Sequence, residues 1–69
     1  MNLVDAILQE RDRLQVIKNA CGDTWEMPEF FFYRAVWDNL TKRAADAIGG
    51  RMEVTEMLSL YNELKEFEA

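Results

Sequence analysis

"WEMPEFFFYRAVW", residues 25–37, holds six of the chain's eight aromatic side chains in thirteen positions. Pro28 suits the first position of a helix, where a missing N–H costs nothing, and Glu29 beside it complements the positive end of the helix dipole. The helical spacing of apolar residues continues from there to about Ile48, where Gly49 and Gly50 end it. On a helical wheel Phe30, Tyr33, Val36, Trp37, Leu40, Ala44, Ala47 and Ile48 form one unbroken apolar stripe. Arg34, Asp38, Lys42 and Asp46 lie opposite at four-residue intervals with alternating sign, which predicts a solvated ladder of ion pairs. Phe31 and Phe32 fall on the polar side, where the pattern leaves them without cover.

Two readings of Phe31 and Phe32 follow. In the first, Trp25, Met27 and the ends of the neighbouring helices fold over them. In the second they form an exposed apolar patch, with Arg34 and Arg43 close by, that docks a second copy or another protein. Aromatic residues beside arginine are the usual material of interface hot spots, and a fully buried Phe side chain contributes about 1.5 to 3 kcal/mol.

Two further helices flank this one. Residues 2 to about 20 place Leu3, Ile7, Leu14, Ile17 and Cys21 at intervals of three, four and seven, with Glu10, Arg11 and Lys18 on the margins of the stripe and Leu8 and Val16 outside it. Gly22 stops that helix, and Asp23 and Thr24 extend the turn. The third helix is expected over about 55–67, with Thr55 as N-cap and Glu56 in the first turn. Val54, Met57, Leu60, Tyr61, Leu64 and Phe67 share one side of it. No strand-like alternation, internal repeat or low-complexity tract interrupts the pattern. The expected fold is all-α: one domain over residues 1–69, a small three-helix bundle that self-associates, as a dimer.

Size and charge narrow the class. A domain of 69 residues and 8.1 kDa sits near the lower limit of independent folding, so self-association would help it. The single Cys21 forms no intrachain disulfide, and no apolar stretch approaches the roughly 18 residues of a membrane span or the shape of a signal peptide. The expected location is the cytoplasm, or the host cytoplasm for a phage-encoded chain. The net charge is -5, and from Glu53 onward five glutamates face Lys65 alone. Such a balance opposes nucleic-acid binding, which is built largely on Lys and Arg neutralising phosphate.

The chemistry is sparse. No histidine is present, which removes the commonest general base and metal ligand and the usual partner of a nucleophilic Ser or Cys. Cys21 lies at a helix C-terminus, where the dipole disfavours a thiolate, and reads as a small buried hydrophobe. The Gly49–Gly50 pair has no Lys-Ser/Thr after it and no strand before it, so it reads as a helix cap and not as a phosphate loop. Neither catalysis nor a cofactor or metal is expected.

"ERDRLQVIKNACG" with the later "MP" resembles the small helical theta subunit of bacterial replicative polymerase over less than a third of the chain, and the similarity stops after Pro28. In size, charge and composition the whole chain resembles the small acidic proteins with which bacteriophages block host enzymes or defence complexes, anti-CRISPR proteins among them; this likeness carries no residues over. The expected function is a protein-binding module acting by steric occlusion. Trp25, Phe31 and Phe32 are its expected anchors, and Arg34 and Arg43 its orienting charges. One alternative is a structural homo-oligomer or scaffold subunit that buries the same aromatics between copies. The other is an acidic nucleic-acid mimic that uses Glu53, Glu56, Glu63 and Glu66, with Glu68 beside them.

Overall fold

The computed structural model describes residues 2–68, and over them the chain forms three helices packed against one another with no strand: α1 Leu3–Cys21, α2 Phe31–Ile48 and α3 Val54–Glu66. α1 starts where the Asn2 side chain accepts a 2.8 Å hydrogen bond from the Asp5 backbone N–H, satisfying one of the donors that a helix start leaves open. It stops at Gly22, whose φ of 55° lies in the left-handed region that a side chain makes costly.

The α1–α2 connection departs from the sequence expectation. The second helix does not run as α-helix from Pro28. One 3-10 segment covers Gly22–Glu26, a second covers Pro28–Phe30, and the α-helix begins only at Phe31. Met27 divides the two in extended conformation (φ -67°, ψ 145°), because the ring of a following proline disfavours the helical region for the residue before it.

The turn after α2 uses both glycines. Gly50, at φ 77°, donates its N–H to Ala47 O at 3.2 Å, and Arg51 donates its N–H to Asp46 O at 2.9 Å. This is the Schellman arrangement, which occupies carbonyls left open at the helix end. Glu53 then lies extended and occupies the N-cap position of α3 without a side-chain cap bond. Thr55, expected as the cap, is therefore already inside the first turn. The chain leaves α3 at Phe67, which turns back into the core in extended conformation and does not continue the helix.

Ile7 and Leu14 of α1, Trp37, Leu40, Ala44 and Ala47 of α2, and Met57, Leu60 and Leu64 of α3 are buried together with Trp25 and Phe67. The apolar stripe read for α2 is the face that packs inward. That of α3 is too, except Val54, the first residue of the helix, which stands 65% exposed. On α1, Val16 is exposed as its position on the wheel required, and Lys18 at the margin lays its ammonium over the Trp37 ring at 4.8 Å. The Arg34–Asp38–Lys42–Asp46 ladder does not form among the described residues: Asp46 pairs with Arg51 at 3.3 Å, across the turn.

Two long-range contacts fix the helices relative to one another. The buried Trp37 indole donates its N–H to the Leu14 carbonyl at 2.9 Å, joining α2 to α1. The Arg13 guanidinium, from α1, donates to Phe67 O at 2.9 Å, to Leu64 O at 2.5 Å and to Glu10 Oε2 at 2.7 Å. A cation at these carbonyls meets the negative end of the α3 dipole as well as its open acceptors. The accessible surface of 4697 Å² is close to the roughly 4,500 Å² typical of a folded monomer of this mass, so one copy already closes its own core.

Trp25→Ala is expected to cost about 3 to 5 kcal/mol, as large-to-small substitutions of buried aromatics do. Against a total of roughly 3 to 10 kcal/mol for a domain of this length, the variant should lose its cooperative transition in a urea titration followed by circular dichroism. Arg13→Lys, which keeps the charge but lacks the planar fork, is expected to recover less than half of the stability lost in Arg13→Ala in the same titration.

Candidate functional site

The aromatic stretch divides by helix geometry into an inner and an outer set. Phe30 and Tyr33 point toward Trp25, with ring centroids 6.4 and 5.9 Å from its ring, and Trp37 meets it at 5.6 Å, all edge to face. Such pairs add about 0.5 to 1.5 kcal/mol beyond the area they bury. Since Phe30 and Tyr33 take the inward positions, Phe31 and Phe32 between them are turned out, and they stand 72% and 78% exposed. Met27, two positions from Glu29, is 47% exposed. Nothing folds over the two phenylalanines, so the covered reading of this pair does not hold.

The five residues expected to share an interface therefore play different parts. Trp25 is buried at 6% exposure, so it cannot present a ring to a partner; it buttresses the helix that presents Phe31 and Phe32. Arg34 donates from Nη1 to Trp25 O at 2.6 Å and Met27 O at 2.9 Å, tying the first turn of α2 to the connection before it. Arg43 lies farther down α2 and forms a two-pronged pair with Glu63 of α3, at 3.1 and 2.6 Å. The structure thus leaves Phe31 and Phe32 facing solvent and gives both arginines intramolecular partners.

Of the alternative acidic face, Glu53, Glu56, Glu63 and Glu66 are all exposed. Arg43, however, reaches into the middle of it. Its hydrogen bonds hold the Glu63 carboxyl below the usual glutamate range and push the Arg43 guanidinium higher still. The four glutamates are accordingly not one uniform negative surface.

Beside Phe32 runs an open groove of about 380 Å³ between α2 and the end of α3. Tyr33, Val36, Leu40 and Phe67 form its apolar floor, Phe32 is one wall, and Glu63, Glu66 and Glu68 complete the lining. The Tyr33 hydroxyl donates to the Glu68 carbonyl, and the ring stacks on Phe67 at 4.6 Å. Burial, then the nearby Cys21 and Glu68, raise the Tyr33 pKa, with Arg13 acting the other way, so the phenol stays a neutral donor. Among the described residues no cation pairs with Glu66 or Glu68. Sequence reasoning missed this groove, since its floor is ordinary core stripe; the signal available was Phe67, an aromatic residue placed just past a helix end.

Among the described residues no three metal-ligating side chains converge, and no helix is long and apolar enough to cross a membrane. Cys21 is a half-buried free thiol. The sequence matches no protein-family model, no curated protein and no solved structure.

The depressed Glu63 pKa means that its pairing with Arg43 stabilises the fold above the usual glutamate range and is lost as pH falls through the folded value. A double-mutant cycle with Arg43→Met and Glu63→Gln should give a coupling below about 1 kcal/mol at neutral pH, as befits a half-exposed pair. Repeating the cycle at successively lower pH should shrink the coupling as Glu63 protonates below the usual glutamate range, and it should vanish once the carboxyl is fully protonated.

Proposed function

We propose that this chain is a protein-binding module that acts by steric occlusion, with Phe31 and Phe32 as its anchors, and that it has no catalytic role. The single observation that carries this reading is the exposure of the two adjacent phenylalanines, 72% and 78%, on the first turn of a helix whose inner side is fully packed. Exposed large aromatics on a rigid element lose little entropy on docking, and burying each contributes about 1.5 to 3 kcal/mol. A standard interface takes about 800 Å² per partner, roughly a sixth of this protein's 4697 Å². This reading accords with the likeness in size and charge to phage-encoded inhibitors such as anti-CRISPR proteins, and a cytoplasmic setting suits its free thiol.

A second reading, self-association into a homodimer or scaffold, is favoured by a separate observation. Val54 and Leu58, one turn apart on α3, are 65% and 50% exposed. They offer an apolar strip through which two copies would meet.

The Phe31→Ser/Phe32→Ser variant is expected to keep the far-ultraviolet dichroism and unfolding midpoint of the wild type, because neither ring is packed in the fold. In an affinity capture from a cell lysate it should lose every protein that the wild type retains specifically. Retention of the same proteins by the variant would remove the phenylalanines from the binding surface. Light scattering over a concentration series separates the two readings: a dimer that dissociates on Leu58→Glu supports self-association through α3, and a monomer at all concentrations leaves the partner heterologous.

A further inference from the structure

The groove next to Phe32 has a chemical character that the exposed phenylalanines alone do not convey. Its floor is apolar and aromatic, it opens to solvent, and every ionisable side chain at its edge other than the Tyr33 phenol is a carboxylate. Glu63 is already partnered by Arg43, whereas no described cation neutralises Glu66 or Glu68. An occupant that buried the floor while leaving those carboxylates dry and unpaired would incur their desolvation without compensation. One that brought its own cations would meet them at the rim, where charge pairs steer encounter and fix register.

We propose that the α2/α3 groove seats a cationic amphipathic segment of the partner protein, with an apolar side chain against Tyr33, Val36 and Phe67 and flanking Lys or Arg against Glu66 and Glu68. The proposal rests on the binding-module reading and names the chemistry of the partner. The groove volume of about 380 Å³ lies at the lower end of ligand sites, room for one or two large side chains of a peptide. Phe32 belongs to both surfaces: it walls the groove and stands exposed, so a segment lying in the groove would cover it. A second copy is a poor occupant, since a two-fold contact centred here would set one acidic rim against another in a chain of net charge -5. Phosphate-bearing polymers are repelled by the same rim.

The test uses the full chain and three labelled synthetic peptides of about 14 residues at helical spacing: one with a Leu stripe flanked by Lys, one with every Lys replaced by Glu, and one with every Leu replaced by Ser. Fluorescence anisotropy is read for the wild type, for Phe32→Ser, for Glu66→Lys/Glu68→Lys, and for the control Asp12→Lys/Asp38→Lys, which changes net charge equally but lies outside the groove. The Lys/Leu peptide should bind the wild type at least about tenfold more tightly than either control peptide. Phe32→Ser and Glu66→Lys/Glu68→Lys should each weaken it by about tenfold or more, and Asp12→Lys/Asp38→Lys by less than about threefold. Affinity should also fall between about 50 and 500 mM salt.

Equal weakening by the two charge-reversal variants would reduce the effect to net charge and overturn the proposal, as would indifference to Phe32→Ser. Dichroism of each variant confirms that the fold is retained. If the peptides show no preference while lysate capture still depends on Phe31 and Phe32, the cationic-segment proposal fails and the binding-module reading stands. If capture is lost as well, both fail.

Discussion

Trp25 sits in the connection between α1 and α2, a stretch with only short 3-10 turns to organise it, yet its indole is among the buried groups of the core. It meets Phe30, Tyr33 and Trp37 edge to face, the geometry that aromatic quadrupoles favour. Through these three neighbours one side chain sets the entry angle of α2, and the consequences travel along the bundle. Trp37 then reaches the Leu14 carbonyl of α1, and Tyr33 stacks on Phe67 beyond the end of α3. In a chain too small for a deep interior, such a plug also closes the end of the bundle where the longest connection enters.

The arginines complete what the aromatics begin. Arg13 takes the open carbonyls at the end of α3, Arg34 those of Trp25 and Met27, Arg43 the Glu63 carboxylate and Arg51 that of Asp46. Of these only Arg34 has backbone acceptors alone, since Arg13 also pairs with Glu10 at 2.7 Å. With these guanidinium groups engaged within the chain, Glu66 and Glu68 stand without a cation partner among the described residues, beside the exposed Phe32 ring.

Helix geometry makes the contrast between Phe31 and Phe32 on one side and Phe30 and Tyr33 on the other unavoidable. Four consecutive aromatics cannot all face one side of a helix that turns about 100° per residue. The inner two are held by Trp25, and the outer two stay wet. The groove arises from a different event, the departure of the chain from helical conformation at Phe67, which brings that ring back over Tyr33 and leaves Glu66 and Glu68 at the edge.

The sequence by itself determined the three helices, the inward face of α2, the glycine stops at Gly22 and Gly50 and the misplaced position of Phe31 and Phe32, because periodicity and backbone restrictions are local properties. It also determined the excess of carboxylates after Glu53. Only the tertiary structure decided that Trp25 is core and not anchor, that Arg34 and Arg43 are engaged within the chain, that Val54 is exposed and that the α-helix waits until Phe31. Burial and hydrogen-bond partnership depend on segments far apart in the chain: Arg13 and Phe67 meet across 54 positions, and Tyr33 and Glu68 across 35. A wheel drawn for one helix carries no information on which neighbour will arrive at its margins, and the groove, made where two such margins meet, exists only once all three helices are packed.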